Sequence, residues 1–225
     1  YSLQAPARRP APLVVVLHGN RQQGADMRTR TSWPEVARRE GFAVVFPDGL
    51  GRAWADLRAA DERGGKAPPR GTDDVKFIAT LVDRLVRAGI ADPHRVYVTG
   101  VSNGGAMTQS LAGGRTDLFA AAASVIMAMT ERMAAACRPS QRIPMLLMQG
   151  TADPLIPFAG ARGKRRFGVS GLYSAADTVR FWRRIDGCEP GDAGTAKLPD
   201  LAVDDGSTVT RIASRCPAGS EVLFY

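Results

Sequence analysis

Short runs of aliphatic and β-branched residues alternate along this chain with amphipathic stretches of helical period. The run LVVVL at 13–17 is apolar at every position and predicts a strand buried on both faces. Similar runs over 42–46, 95–99, 119–125 and 145–148 predict further buried strands. Strands of this kind are typical of parallel sheets, whose faces are covered by helices. The alternation predicts an α/β fold with a mostly parallel, doubly wound sheet and helices on both faces.

Helix start and stop signals fall between the apolar runs. Ser32, followed three residues later by Glu35, forms a capping-box pattern, and Gly41 is placed to end that helix. Thr72 is predicted to cap a second helix, and Ser174 a third. These signals give each predicted helix a defined position between two strands.

Length and composition are those of one globular unit. The chain has 225 residues, which suits a single catalytic domain over 1–225 rather than two small domains. The last predicted strand, 221–225, runs to the chain end without a turn, so the domain is expected to be truncated at both ends. The longest apolar run, 119–129, is too short to cross a bilayer, and no membrane interaction is predicted.

The net charge of the chain gives little indication of what the protein binds. The formal net charge is +8, but the basic residues are scattered rather than clustered. We therefore expect no nucleic-acid partner, and keep binding to a polyanion as one alternative function. The oligomeric state is not predicted.

The segment Gly100-Val101-Ser102-Asn103-Gly104 has the pattern G-x-S-x-G. It lies after a predicted strand and before a predicted helix, which is the setting of the nucleophile elbow in α/β-hydrolases. Small flanking residues let strand and helix pack closely around an exposed serine. The pattern indicates that Ser102 is a catalytic nucleophile, with an ordinary glycine-rich turn as the alternative.

Asp153 follows the predicted strand over 145–148 in the segment Gly-Thr-Ala-Asp-Pro. In this fold the triad acid comes after the nucleophile, on a loop at the end of a later strand. We predict that the Asp153 carboxylate orients the triad histidine. The alternative is that Asp153 caps a turn before Pro154.

Two backbone N–H groups are predicted to form the oxyanion hole. One belongs to Asn103, the residue after the serine, and the other to the loop that follows the first buried strand. We assign the second N–H to Asn20. His18 in the same loop is interpreted as a structural histidine that bonds the backbone.

Neither histidine of the chain fits the role of general base. His94 lies at the start of the strand that leads to Ser102, roughly 26 Å away along extended chain. His18 precedes the serine, whereas the chain order of this fold is serine, acid, histidine. The base is therefore expected beyond Tyr225, after the last strand.

Three cysteines are present: Cys137, Cys188 and Cys216. None belongs to a C-x-x-C pair, and with only two histidines in the chain we expect no metal site and no cofactor. A bridge between Cys188 and Cys216 would close a loop-rich segment and indicate an oxidising compartment. Three free thiols remain the alternative at this stage.

The chain resembles the secreted α/β-hydrolase esterases that include polyhydroxybutyrate depolymerases and feruloyl and acetylxylan esterases. The matching segments are LVVVLHGN (13–20), GFAVVFPDG (41–49), DDVKFIATLVDRL (73–85), DPHRVYVTGVSNGGAM (92–107), PMLLMQGTADPLIPF (144–158) and EVLFY (221–225).

The resemblance adds expectations for individual residues. It implies a disulfide between Cys188 and Cys216, secretion, and a catalytic histidine on a glycine-rich turn after the last strand. It also implies that Trp54, in the long loop over 48–71, lines the substrate cleft. Members of the family that the chain resembles often have Trp-Asn-Asp where this chain has Trp54-Ala55-Asp56. A Trp54 that anchors the loop to the core fits the sequence equally well.

The sequence therefore predicts a serine carboxylic ester hydrolase that acts through an acyl-enzyme. The expected substrates are polyesters or plant cell-wall feruloyl and acetyl esters, polymeric or linked to polysaccharide. The alternatives are a peptidase of the same fold and a catalytically inactive binding module on this scaffold.

Overall fold

The computed structural model describes residues 1–56, 68–69, 71–166 and 169–225, so most of the loop predicted over 48–71 lies outside the described residues. The strands are β1 (Ser2–Gln4), β2 (Ala11–Leu17), β3 (Ala43–Phe46), β4 (Ala91–Val101), β5 (Ala121–Val125), β6 (Met145–Met148), β7 (Ala161–Arg166), β8 (Val169–Leu172), β9 (Asp192–Lys197), β10 (Thr210–Ser214) and β11 (Val222–Phe224). The helices are α1 (Gly24–Arg30), α2 (Trp33–Glu40), α3 (Asp74–Arg87), α4 (Asn103–Gly114), α5 (Glu131–Ala136) and α6 (Ala175–Asp186).

In the described residues, nine strands form one sheet in the order β1-β3-β2-β4-β5-β6-β11-β10-β9. The six strands from β3 to β11 run parallel to their neighbours. β1 is antiparallel at one edge, and β10 and β9 are antiparallel at the other. β7 and β8 pair as a separate hairpin. The mostly parallel sheet predicted from the apolar runs is confirmed.

Helices lie on both faces of this sheet, as predicted. On the first face, α3, α4 and α6 bury their apolar sides against β2, β4, β5, β6 and β11 to form the main core. On the second face, α1 and α2 pack over β2 and β3 and enclose a smaller core around Val16 and Phe46. None of the described helices is long and apolar enough to cross a membrane.

The second face is open over the middle of the sheet. Five residues point to this face and are half-buried, whereas most of the residues that alternate with them are buried: Tyr97, Ala121, Ala123, Leu146 and Leu223. They line a groove of about 360 Å³ across β4, β5, β6 and β11. This groove is an apolar surface that reaches the amino-terminal ends of β5, β6 and β11.

A disulfide joins Cys188, just after α6, to Cys216, just after β10. The predicted pairing is therefore confirmed. The bridge fixes the antiparallel β9–β10 extension to the body of the domain. Cys137 is a free, buried thiol, and its burial raises its pKa to about 11, so it stays protonated and unreactive at neutral pH.

The carboxyl group of Asp186 is enclosed at the end of α6. The residue is completely buried, Oδ1 accepts a hydrogen bond from the Ile143 N–H at 2.8 Å, and none of the described residues bonds to Oδ2. Burial raises the pKa of Asp186 from 3.8 to about 6, although the Ile143 N–H, Ser220 and Arg142 favour the charged form. The folded protein thus holds a proton on Asp186 that the unfolded chain releases near pH 4.

This buried carboxyl group is expected to make folding stability depend on pH. Because the folded pKa is raised, its contribution is fully present below about pH 4 and is lost as the pH rises towards 6. At pH 7.5 the loss amounts to about 3 kcal/mol. Asp186→Asn, which cannot ionise, should gain stability relative to the wild type over this interval. Urea unfolding at pH 4, 5, 6 and 7.5 measures the difference between the two proteins.

The exposed Asp204→Asn variant is the matched control, because it makes the same change of side chain at a position in solvent. If Asp186→Asn differed from the wild type by a constant amount at every pH, the protonated state of Asp186 would be excluded.

Candidate active site

Ser102 lies at the sharp turn between β4 and α4. Its backbone has φ 55° and ψ −116°, a left-handed conformation that is strained for a residue with a side chain. The Ser102 N–H donates to the Val125 carbonyl at 2.9 Å, which continues the β4–β5 ladder to the turn. The strand–turn–helix context that the sequence indicated is present, and the strain is that of a nucleophile elbow.

The glycines around Ser102 are required by close backbone contacts. A Cβ atom on Gly100 would lie 2.4 Å from the Gly104 carbonyl oxygen. A Cβ atom on Gly104 would lie 2.5 Å from the Leu17 oxygen and 2.6 Å from the His18 oxygen. The first turn of α4 therefore packs directly against the end of β2, which brings Ser102 next to the loop that begins at His18.

The carboxyl ends of β4, β5, β6 and β11 meet at one edge of the sheet. Val101 is paired with Val125, and Val125 with Met148. The Gln149 N–H donates to the Tyr225 carbonyl at 3.0 Å, so β11 ends at the same level. The loop that carries Asp153 and the chain at Tyr225 thus leave the sheet at the edge where Ser102 lies, two and three strands away from it.

Asp153 is half-buried in the loop after β6. Its Oδ1 accepts hydrogen bonds from the Leu155 N–H at 2.8 Å and the Ile156 N–H at 2.9 Å. These bonds match the turn-capping alternative and also fix the orientation of the carboxylate. Within the described part of the chain, no residue donates to Oδ2, so this oxygen is available to an imidazole.

His18 is completely buried, and its two ring nitrogens are both engaged. The Gly49 N–H donates to Nε2 at 3.0 Å, so Nε2 carries no proton and Nδ1 donates to the Gly19 carbonyl at 2.8 Å. Desolvation lowers the pKa of His18, which keeps the imidazole neutral. The structural role expected for His18 is confirmed, and it has no nitrogen left to accept a proton from serine.

The His18–Gly19 bond also orients the following peptide group. In a trans peptide the C=O and the next N–H point in opposite directions, so the Asn20 N–H is directed away from His18. The Gly19 N–H is bonded to the Gln22 side chain at 2.9 Å. In the described residues no acceptor is found for the Asn20 N–H, which is consistent with its predicted place in an oxyanion hole.

Asn103 is the first residue of α4, so its backbone N–H has no acceptor within the helix. The positive end of the α4 dipole lies at the same point and favours a negative charge there. This geometry is consistent with the predicted second donor at Asn103. The Asn103 side chain is buried and points away from solvent, a feature that the sequence did not indicate.

The structure corrects the expected substrate-lining role of Trp54. The residue is completely buried, and its indole Nε1–H donates to the His18 carbonyl at 2.9 Å. No ring face is exposed for stacking on a substrate. Burial matches the alternative, in which Trp54 anchors its loop to the core.

His94 is exposed near the start of β4, where its N–H bonds Asp92. It therefore lies at the opposite end of the strand from Ser102. No cluster of three or more metal-ligating side chains occurs within the described ranges. The chemistry available at the edge is that of a serine, a carboxylate and two backbone donors.

The chain is similar in sequence to known ester hydrolases. It is 34% identical over 239 residues to "Putative esterase NocK" of Nocardia uniformis subsp. tsuyamanensis, a match that covers 94% of this chain and 67% of that protein. The chain belongs to the α/β-hydrolase esterase family. Residues 29–135 also match the prolyl oligopeptidase family.

More distant members of the esterase family agree with this assignment. Feruloyl esterase B of Piromyces equi is 24% identical over 187 residues, a match that covers 80% of this chain and 33% of that enzyme. The solved acetyl xylan esterase from Aspergillus awamori superposes with a TM-score of 0.66 at 16% identity, over 99% of this chain and 85% of that one. The predicted family and fold class are confirmed, and the predicted enzyme class is that of the family.

Proposed function

We propose that this protein hydrolyses carboxylic esters through an acyl-enzyme on Ser102. The strained backbone at Ser102 is the observation that carries the proposal, because such strain persists at functional sites where the surrounding structure enforces it. Ser102 Oγ attacks the ester carbonyl carbon while a histidine takes the hydroxyl proton. The resulting oxyanion is bound by the N–H groups of Asn20 and Asn103.

Collapse of this tetrahedral intermediate expels the alcohol, which receives the proton from the histidine. Water then attacks the carbonyl carbon of the acyl-enzyme while the histidine takes its proton. Collapse of this second intermediate releases the acid and returns the proton to Ser102 Oγ. Asp153 Oδ2 accepts from the histidine Nδ1–H and stabilises the imidazolium during each step. No metal or cofactor takes part in this scheme.

The general base of the proposal comes from residues that follow Tyr225. His18 is buried with both nitrogens bonded, and His94 lies at the far end of β4. The main chain at Tyr225 is adjacent to Gln149, at the start of the Asp153 loop. A histidine a few residues further along would leave the sheet at the same edge as Ser102, next to the Asp153 loop.

The proposed substrates are esters that are polymeric or linked to polysaccharide, and the proposed site of action is outside the cytoplasm. The substrate class follows the names of the feruloyl and acetyl xylan esterases that resemble the chain. Export is supported by the Cys188–Cys216 disulfide, since such bridges persist in oxidising compartments. Peptidase activity is the second candidate, because residues 29–135 match the prolyl oligopeptidase family.

The test uses the full-length natural protein, including any residues that its gene encodes outside the 225 described by this sequence. We expect hydrolysis of p-nitrophenyl acetate, and of methyl ferulate, acetylated xylan or polyhydroxybutyrate. Phenylmethylsulfonyl fluoride should add one sulfonyl group per chain, on the peptide that contains Ser102, and abolish hydrolysis in proportion to labelling.

N-acetylalanine p-nitroanilide in the same assay tests the second candidate. Cleavage of the anilide with no cleavage of any ester would favour a peptidase. Ester hydrolysis that continues after complete labelling of Ser102 would refute the proposed mechanism.

A further inference from the structure

The two predicted oxyanion donors come from separate parts of the chain. Asn20 lies in the loop after β2, and Asn103 lies at the start of α4. An oxyanion hole works only when both donors are held at a fixed spacing, because its advantage over water is that the dipoles are already oriented. A displacement of about 1 Å can reduce catalysis by about 100-fold. The structure must therefore contain contacts that hold the Asn20 and Asn103 segments at a fixed spacing.

The side chain of Trp54 contacts the first segment. Its indole Nε1–H donates to the His18 carbonyl at 2.9 Å, and the indole packs on the His18 imidazole with ring centroids 4.7 Å apart. His18 in turn orients the Gly19–Asn20 peptide through Nδ1. Trp54 thus acts on the group that directs the Asn20 N–H.

The main chain of Trp54 contacts the second segment. The Trp54 N–H donates to Asn103 Oδ1 at 2.7 Å, and Asn103 Nδ2 donates to the Trp54 carbonyl at 3.2 Å. Asn103 Nδ2 also donates to Asp56 Oδ2 at 2.8 Å. The side chain of Asn103 is therefore held by three hydrogen bonds to the loop that carries Trp54.

The Trp54 loop is itself fixed to the body of the domain. The Ala55 N–H donates to Asp74 Oδ2 at 2.7 Å, at the first residue of α3. On the other side, the Arg21 N–H donates to the Arg52 carbonyl at 2.8 Å. Trp54 is held between these attachments and has no exposed surface.

We infer that Trp54 is a positioning residue that holds the Asn20 and Asn103 halves of the oxyanion hole in register through one side-chain and two main-chain hydrogen bonds. The inference rests on the proposed function, since the oxyanion in question forms only when Ser102 attacks an ester carbonyl. It differs from a substrate-binding role, because Trp54 acts through His18 and Asn103 and does not touch the ester. It predicts an effect on the rate of the chemical step rather than on substrate affinity.

The test replaces Trp54 by phenylalanine in the full-length natural protein. Phenylalanine keeps an aromatic ring and the main-chain bonds to Asn103, but it cannot donate to the His18 carbonyl. We expect kcat for p-nitrophenyl acetate, per site titrated with a fluorophosphonate, to fall by about 10- to 100-fold, within the cost of losing one oxyanion donor. KM should stay within about twofold, because ground-state binding is not affected.

A trifluoromethyl ketone provides an independent readout, since it forms a tetrahedral oxyanion adduct with the serine. Its affinity for Trp54→Phe should fall by the same factor as kcat/KM. Trp182→Phe is the matched control. Trp182 is also fully buried and its Nε1 donates to Gln109 at 3.0 Å, so its replacement removes the same kind of bond away from the oxyanion donors.

Equal losses of kcat in Trp54→Phe and Trp182→Phe would overturn the inference, because they would reflect a general structural effect. A raised KM with an unchanged kcat would also overturn it and would assign Trp54 to substrate binding. If Trp54→Phe does not fold, Asn103→Ala, which keeps the donor N–H and loses the three side-chain bonds, must show the same loss of kcat. A wild-type kcat in Asn103→Ala would then refute the inference.

Failure of the proposed function is distinguished in the wild type. A wild-type protein that neither hydrolyses the ester nor reacts with the fluorophosphonate would exclude acyl transfer and this inference together. An active and labelled wild type with an unaffected Trp54→Phe variant would exclude the inference alone.

Discussion

Replacing Ser102 by alanine is expected to lower kcat/KM of the full-length protein for p-nitrophenyl acetate by at least about 10⁴-fold. The oxyanion donors and the carboxylate stay in place, but no nucleophile is left for acyl transfer. The far-ultraviolet circular dichroism should not change, because alanine fits wherever serine does. His94→Ala is the control and should keep the wild-type rate, since His94 is exposed near the start of β4. Retained activity in Ser102→Ala would remove the serine from the mechanism.

The strained backbone at Ser102 allows a second variant to be compared with Ser102→Ala. A residue with φ 55° and ψ −116° costs about 1–3 kcal/mol unless it is glycine. Ser102→Gly should therefore be as inactive as Ser102→Ala but more stable than it to urea. Such a gain would show that the turn gives up stability to hold the Ser102 hydroxyl group in this position.

Replacing Gly104 by alanine should have the second largest effect, and this effect is on folding. The added Cβ atom would lie 2.5 Å from the Leu17 oxygen and 2.6 Å from the His18 oxygen, and neither backbone atom can rotate away. We expect a loss of about 3 kcal/mol or more in the free energy of unfolding, at the upper end for overpacked sites. Any protein that folds should be nearly inactive, because relief of the clash moves α4 and with it Ser102.

Gly114→Ala is the control within the same helix. A Cβ atom there meets nothing within 4 Å, so the variant should be more stable by up to about 1 kcal/mol through helix propensity. Urea unfolding of both variants gives the comparison. Equal stability of Gly104→Ala and the wild type would show that α4 is not held against β2 as closely as the structure indicates.

The elbow could be predicted from the sequence because its signals are local. Ser102, its flanking glycines and the apolar strand before it lie within a dozen residues, and each is needed for the same backbone reason. The fully apolar runs also predicted the parallel strands, since burial on both faces requires such sequences. The family resemblance then predicted the disulfide, which the structure contains.

The role of Trp54 could not be predicted in the same way. Its partners are His18 and Asn103, which are 36 and 49 residues away in sequence. Whether an indole in a polar loop is exposed or buried depends on these distant contacts. The bonds of the Asn103 side chain were missed for the same reason.

Elements without an apolar pattern in their sequence were also missed. Strand β9 (Asp192–Lys197) is exposed along its whole length and has no apolar alternation to mark it. α1 (Gly24–Arg30) has one buried residue, a glycine, so its sequence lacks an apolar stripe. The predicted cap at Thr72 was one residue early, because the Asp73 carboxylate accepts the Lys76 N–H and begins α3.

The open groove on the second face has a consequence for the solution behaviour of the protein. The exposed Met148 lies at the end of this face. Together with the half-buried residues across β4, β5, β6 and β11, it forms an apolar surface that is in contact with solvent. Apolar strips of this kind adsorb solvatochromic dyes and detergent monomers even when the fold is intact. A chain of these 225 residues is therefore expected to bind such a dye while folded, and its unfolding is better followed by circular dichroism than by dye fluorescence.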